Sequence, residues 1–117
     1  MRTVDISREL NRRIICEDRE IQKYNAAHHY KILDNSNGDI LANINFQEGP
    51  IKEVGLNGIT EEELIHILID RYSEFQKSEF NCIENEESIN LLVKILDIQR
   101  TRTNDRKKRN VEGTYKV

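Results

Sequence analysis

Apolar and polar residues alternate with a period of two in the first half of the chain and recur with a period near 3.6 in the second. In HHYKILD, residues 28–34, aromatic and β-branched residues recur, and the stretch ends at NSNG, residues 35–38, a turn signal closing on Asn-Gly. Beyond it Ile40, Ala42, Ile44 and Phe46 alternate with Leu41, Asn43, Asn45 and Gln47, which predicts a half-buried strand. Gly49-Pro50 breaks that strand. Residues 51–56, IKEVGL, read as a third short strand closed by Asn57-Gly58, and residues 13–17 add another. The result is an antiparallel meander.

The second half reads as two helices. Thr60 followed by Glu63 makes a capping box, with Ile59 and Leu64 as a hydrophobic staple. Three acids in the first turn suit the positive end of a helix. Leu64, Ile65, Leu68, Tyr72 and Phe75 then follow the helical period to about Gln76. A link over residues 77–80 leads to Asn81, read as the cap of a second helix with Glu84 in its first turn. Ile89, Leu92 and Leu96, together with Leu91, Ile95 and Ile98, give that helix an apolar face wider than one partner covers. Helix two continues polar through Arg109 and stops near Gly113. The predicted fold is α+β: one domain with a β-rich core over residues 1–58 and an oligomerising helical hairpin over residues 59–117.

Composition narrows the class without naming an activity. The chain has 117 residues, 37% hydrophobic and 33% charged, with mean hydropathy −0.72. No apolar run approaches the roughly 18 residues of a membrane span, and MRTVDISREL lacks the apolar core of a signal peptide. Cys16 and Cys82 have no metal or redox spacing, which predicts reduced thiols in a cytosolic protein. The net charge is −3, yet residues 100–117 hold seven basic and two acidic residues, so the remainder carries −3 − 5 = −8. That asymmetry points to an anionic partner, or to a solvated basic helix end suited to the helix dipole.

No catalytic constellation is legible. Adjacent His28 and His29 point to opposite faces of a strand, and His66 stands alone on a helix, so no metal site is predicted. Neither a Ser-His-Asp order nor a Gly-rich phosphate loop is present.

Three features suggest binding instead. Phe80 precedes the second helix, but its staple position is Asn85, which is polar; the ring is left for core packing or for stacking on a base or other ring. Asn85 and Asn90, mediocre helix formers, offer both donor and acceptor to an adenine edge or ribose, or lie in solvent or an oligomer contact. Arg102, Arg106 and Arg109 share roughly one helix face, where guanidinium forks match phosphate oxygens. Asn90 and Arg106 are sixteen residues apart, about 24 Å along a helix. A small nucleotide that meets both sets therefore needs an antiparallel neighbouring chain.

Three runs carry a family resemblance: FQEGPIKEVGLNGITEEELIHILIDRYSEFQ at residues 46–76, FNCIEN at 80–85 and RTRTNDRKKRNVEGTYKV at 100–117. Together they resemble the helical-hairpin module of phage counter-defence sponges: the Thoeris anti-defence proteins of the first type and a cyclic-dinucleotide sponge that counters CBASS immunity. The β-rich front half, with HHYKILD, is similar to the Thoeris type.

The resemblance implies a protein that acts in the cytoplasm of the infected bacterium and is not an enzyme. It binds the cyclic ADP-ribose isomer made by TIR proteins, glycocyclic ADP-ribose, and holds it without cleavage, so the downstream effector stays off. Dimers, or hexamers built from dimers, are implied, as is a separate cyclic oligonucleotide site in some members. By motif, Phe80 and Asn90 resemble the ligand-contacting aromatic and amide, and Arg106 and Arg109 the phosphate-binding part, with Asn85, Arg102 and Lys108 as further candidates. The alternatives are a sponge for cyclic di- or trinucleotides and, behind it, a nucleic-acid binder. A chain that is 6% aromatic and acidic outside its basic end disfavours nucleic acid.

Overall fold

The computed structural model describes residues 1–18, 25–114 and 116–117. Main-chain contacts divide the chain into two units, Met1–Ile59 and Thr60–Val117.

The first unit is a four-stranded antiparallel meander of β1 (Arg2–Ser7), β2 (Arg12–Cys16), β3 (His29–Asp34) and β4 (Ile40–Asn45), in that spatial order. The sequence pattern did not predict β1: it lies at the sheet edge, and its Val4 and Ile6 are about half exposed. β2 starts one residue before the expected stretch. The β3–β4 turn closes as NSNG predicts, with the Gly38 N–H donating to Asp34 O at 2.8 Å and Gly38 at φ 80. Ile15, Cys16 and His28 are buried, and Tyr30 meets Phe46 edge to face with ring centroids 5.8 Å apart. Along β4, Ala42 and Ile44 are half-buried as the alternation demands, whereas Ile40 remains 56% exposed.

Residues 51–56 are not a strand. Ile51–Val54 form one helical turn, α1. Pro50, at φ −66, starts the turn, and the N–H groups of Glu53 and Val54 both return to its carbonyl oxygen. Gly55, at φ 83, ends it. The strand β4 instead continues as a parallel bridge between Phe46 and Ile59. There Gly58 is squeezed so tightly that a Cβ would come within 2.5 Å of the Phe46 carbonyl carbon.

Two amide side chains hold the loop between these points. Gln47 donates to the Gly49 and Gly55 carbonyls and accepts from the Asn57 N–H, while Asn57 brackets the Glu48 N–H and carbonyl.

The second unit packs α2 (Glu61–Gln76) against α3 (Ile83–Lys108) as a hairpin. The capping box closes as predicted: Glu63 takes the Thr60 N–H at 3.1 Å and also its hydroxyl, which lowers the Glu63 pKa. The second helix begins later than expected, with Cys82 rather than Asn81 as its N-cap. The reason is a tie from the preceding helix. Gln76 accepts the Cys82 N–H at 2.9 Å and donates to the Cys82 carbonyl at 3.0 Å, while the Asn81 amide turns back to Ser78 O.

Helix α3 has 26 residues and α2 has 16, so α3 outruns its partner by about 15 Å. The chain itself covers the overhang. Arg109 caps the helix, Asn110 adopts φ 57, and the N–H groups of Asn110 and Val111 return to Lys107 O and Arg106 O, both at 3.0 Å. This is a Schellman ending with Val111 as its buried apolar contact.

Candidate ligand-binding groove

At the end of the hairpin where α2 passes into α3, six residues line a groove of about 460 Å³: Asp70, Arg71, Glu74, Phe75, Ser78 and Phe80. Its size falls within the range of small-molecule sites. Ser78 sets the position of Phe80, donating its hydroxyl to Phe75 O at 2.6 Å and accepting the Phe80 N–H at 3.1 Å. The ring projects into water, 68% exposed. Core packing, one of the two uses open to it in the sequence, does not occur in the folded chain. Phe75, assigned by periodicity to the apolar face of α2, sits at the end of that face and is 38% exposed. The Arg71 guanidinium lies over its ring, 5.3 Å from the centroid.

The other predicted residues are dispersed. Half-buried Asn85 stays close, its amide 3.5 Å from the Phe80 carbonyl oxygen. Exposed Asn90, five residues later, lies about 140° further round the helix at roughly 100° per residue. Lys108 falls on the Asn90 face five turns away, whereas Arg106 points almost to the opposite side. Arg102 and Arg109 are exposed on a common face.

Arg106 is turned inward. Its guanidinium is buried and donates to Val111 O at 2.9 Å, to Val117 O at 3.1 Å and, more weakly, to Thr114 O at 3.4 Å, with the Glu112 carboxylate 3.4 Å from Nε. Arg109 also donates to Val117 O at 3.1 Å and pairs with Asp105 at 3.0 Å. Both arginines thus fasten the returning segment within one chain.

Sequence reasoning missed Asp70, Arg71, Glu74 and Ser78. The available signal was the i, i+4 spacing of Arg71 and Phe75 at the end of a helix, followed five residues later by a second phenylalanine. The first unit holds a separate polar cluster. Asp18 accepts the N–H groups of His28 and His29, and the His29 ring meets Asn45 Oδ1 at 2.9 Å and Glu48 Oε2 at 3.1 Å. Among the described residues no three His, Cys, Asp or Glu side chains converge to hold a metal, and no helix is long and apolar enough to cross a membrane.

No protein-family model matches the chain. A curated relative does: "Thoeris anti-defense 1" of Bacillus phage SBSphiJ7, 34% identical over 122 aligned positions, covering 85% of this chain and 86% of the relative. The chain belongs to the Thoeris anti-defence family. The match covers 85% of this chain and so extends beyond the helical hairpin into the β-rich half.

Proposed function

We propose that this protein counters Thoeris immunity on behalf of a phage by sequestering, without cleaving, the cyclic ADP-ribose isomer made by TIR proteins in the host cytoplasm. The observation that carries this reading is Phe80, a large ring held in water by a fixed turn on the wall of a groove, in a chain of this family. Leaving such a ring exposed forfeits about 1.5–3 kcal/mol of burial, a cost that a stacked purine recovers on binding.

A sponge needs affinity and a slow off-rate, not a stabilised transition state. Enclosure between chains supplies both. Leu91, Ile95 and Ile98 form an exposed apolar stripe on α3, and Arg102 and Arg109 continue it. A second copy laid antiparallel on that stripe brings its basic end toward the first chain's Phe80 and Asn90. The family resemblance implies dimers, or hexamers built from dimers, with which an antiparallel pair is compatible, and glycocyclic ADP-ribose is the ligand it is proposed to hold.

Titration calorimetry with the purified TIR product tests the site. Phe80→Ala weakens binding by roughly 5- to 150-fold, the range of a lost aromatic–base stack, and Asn90→Ala weakens it as well. Both residues are exposed, so neither change lowers the melting temperature, and Asn90→Ala, a better helix former within α3, raises it slightly. Wild-type affinity in both variants refutes the assignment; preference for a cyclic dinucleotide transfers it to that ligand class.

A further inference from the structure

We infer that Arg71 is an anion-contacting residue of this site, supplied by the same chain as Phe80. The inference rests on the proposed sequestration of a pyrophosphate-containing cyclic nucleotide. Sequence spacing placed every candidate cation further along the second helix, about 18–28 Å from Asn90. The groove carries a cation of its own: Arg71 lines it together with Phe75 and Phe80.

The guanidinium carbon lies over the Phe75 ring, 5.3 Å from its centroid, so a cation–π contact holds it beside the groove. Among the described residues its contact is that ring, with no carboxylate at ion-pair distance, so its donors are available to incoming oxygens. Contrast Arg106 and Arg109, whose donors are engaged by main-chain oxygens of their own chain.

The neighbouring charges fit a mixed ligand rather than a bare phosphate. Asp70 and Glu74 line the same groove and cannot accept an anion, but their carboxylates accept hydrogen bonds from ribose hydroxyls or an adenine amine. A nucleotide that stacks its ring on Phe80 and turns its pyrophosphate toward Arg71 places donors near the acids and the anion near the cation.

The test uses the full chain and the cyclic ADP-ribose isomer produced from NAD by a TIR domain. Calorimetry is run on wild type, Arg71→Met, Arg71→Lys and Phe80→Ala, with ³¹P NMR of the bound ligand. Arg71→Met is expected to weaken binding by about tenfold or more, and Arg71→Lys to recover part of that loss, because it restores charge without the flat fork. In Arg71→Met the bound phosphorus resonances move back toward their free positions, which a merely structural role would not cause. If Arg71→Met binds as tightly as wild type while Phe80→Ala does not, the Arg71 assignment falls and the sponge reading stands. If wild type itself fails to bind, both fall.

Discussion

Replacing Arg106 by methionine unfastens residues 111–117 while leaving the helical pair folded. Methionine keeps most of the apolar stem and removes the guanidinium. Two of the lost bonds are short, to Val111 O at 2.9 Å and Val117 O at 3.1 Å. Hydrogen bonds from a charged donor contribute about 1.5–3 kcal/mol each. The Val117 carbonyl, on an exposed residue, regains water, whereas the Val111 carbonyl is buried and loses a partner, so the net loss is about 2–3 kcal/mol. It falls on local opening of the terminal segment rather than on global unfolding, because Leu96 and the α2–α3 contact are untouched. Amide hydrogen exchange reads this directly. The Val111 and Thr114 amides, bonded to Arg106 O and Val111 O, are expected to exchange roughly 30- to 150-fold faster in Arg106→Met, with helical circular dichroism unchanged. Arg109→Met, at an exposed site, has the smaller effect. Unaltered exchange in Arg106→Met would show that the buried guanidinium does not hold the segment.

Two further outcomes concern the sheet unit. Gly58→Ala drives a Cβ into the Phe46 main chain and lowers stability by about 2 kcal/mol, on the order of 10 °C in melting temperature for a unit this small; a melt within a degree of wild type contradicts that close approach. Asn45 and Glu48 raise the His29 pKa above 6.5 against the opposing effect of burial, and the Asp18 carboxylate adds to the rise. The stability from protonated His29 is therefore full below the unfolded value and is lost as pH rises through the folded one. Denaturation between about pH 5.5 and 8.5 should show a loss in wild type that His29→Gln abolishes; equal slopes in the two proteins contradict it.

Local signals made much of this fold legible. The Thr60–Glu63 box and the 3.6 period located α2, and Asn-Gly with alternation located the β3–β4 hairpin. Where expectation failed, a non-local contact decided. Ile51 and Val54 favour strand by composition, but Pro50 and Gly55 bracket them and the bridge from Phe46 to Ile59 takes their place beside β4. Asn81 is a better local cap than Cys82, yet Gln76 from the previous helix fixes Cys82. Edge strand β1 buries too little to leave an apolar signature.

The site divides the same way. An exposed Phe80 follows from the staple rule only with Asn81 as the cap; with Cys82 in that place Phe80 lies one position further out, and the Ser78 turn sets its exposure instead. Arg106 was read correctly as part of a helix face, but periodicity cannot reveal that the chain beyond Asn110 turns back and takes its donors. Arg71 was overlooked because a charged residue on an exposed helix face looks ordinary until its ring contact and the groove are seen.

Mass spectrometry of ligand released by heat tests the central claim most directly. Purified protein is mixed with TIR product, separated from free ligand by filtration, and then denatured. Sequestration predicts that the cyclic ADP-ribose isomer disappears from the filtrate and returns intact, in stoichiometric amount, from the denatured protein. Ligand left in the filtrate, or recovered as linear ADP-ribose, would contradict a non-catalytic sponge.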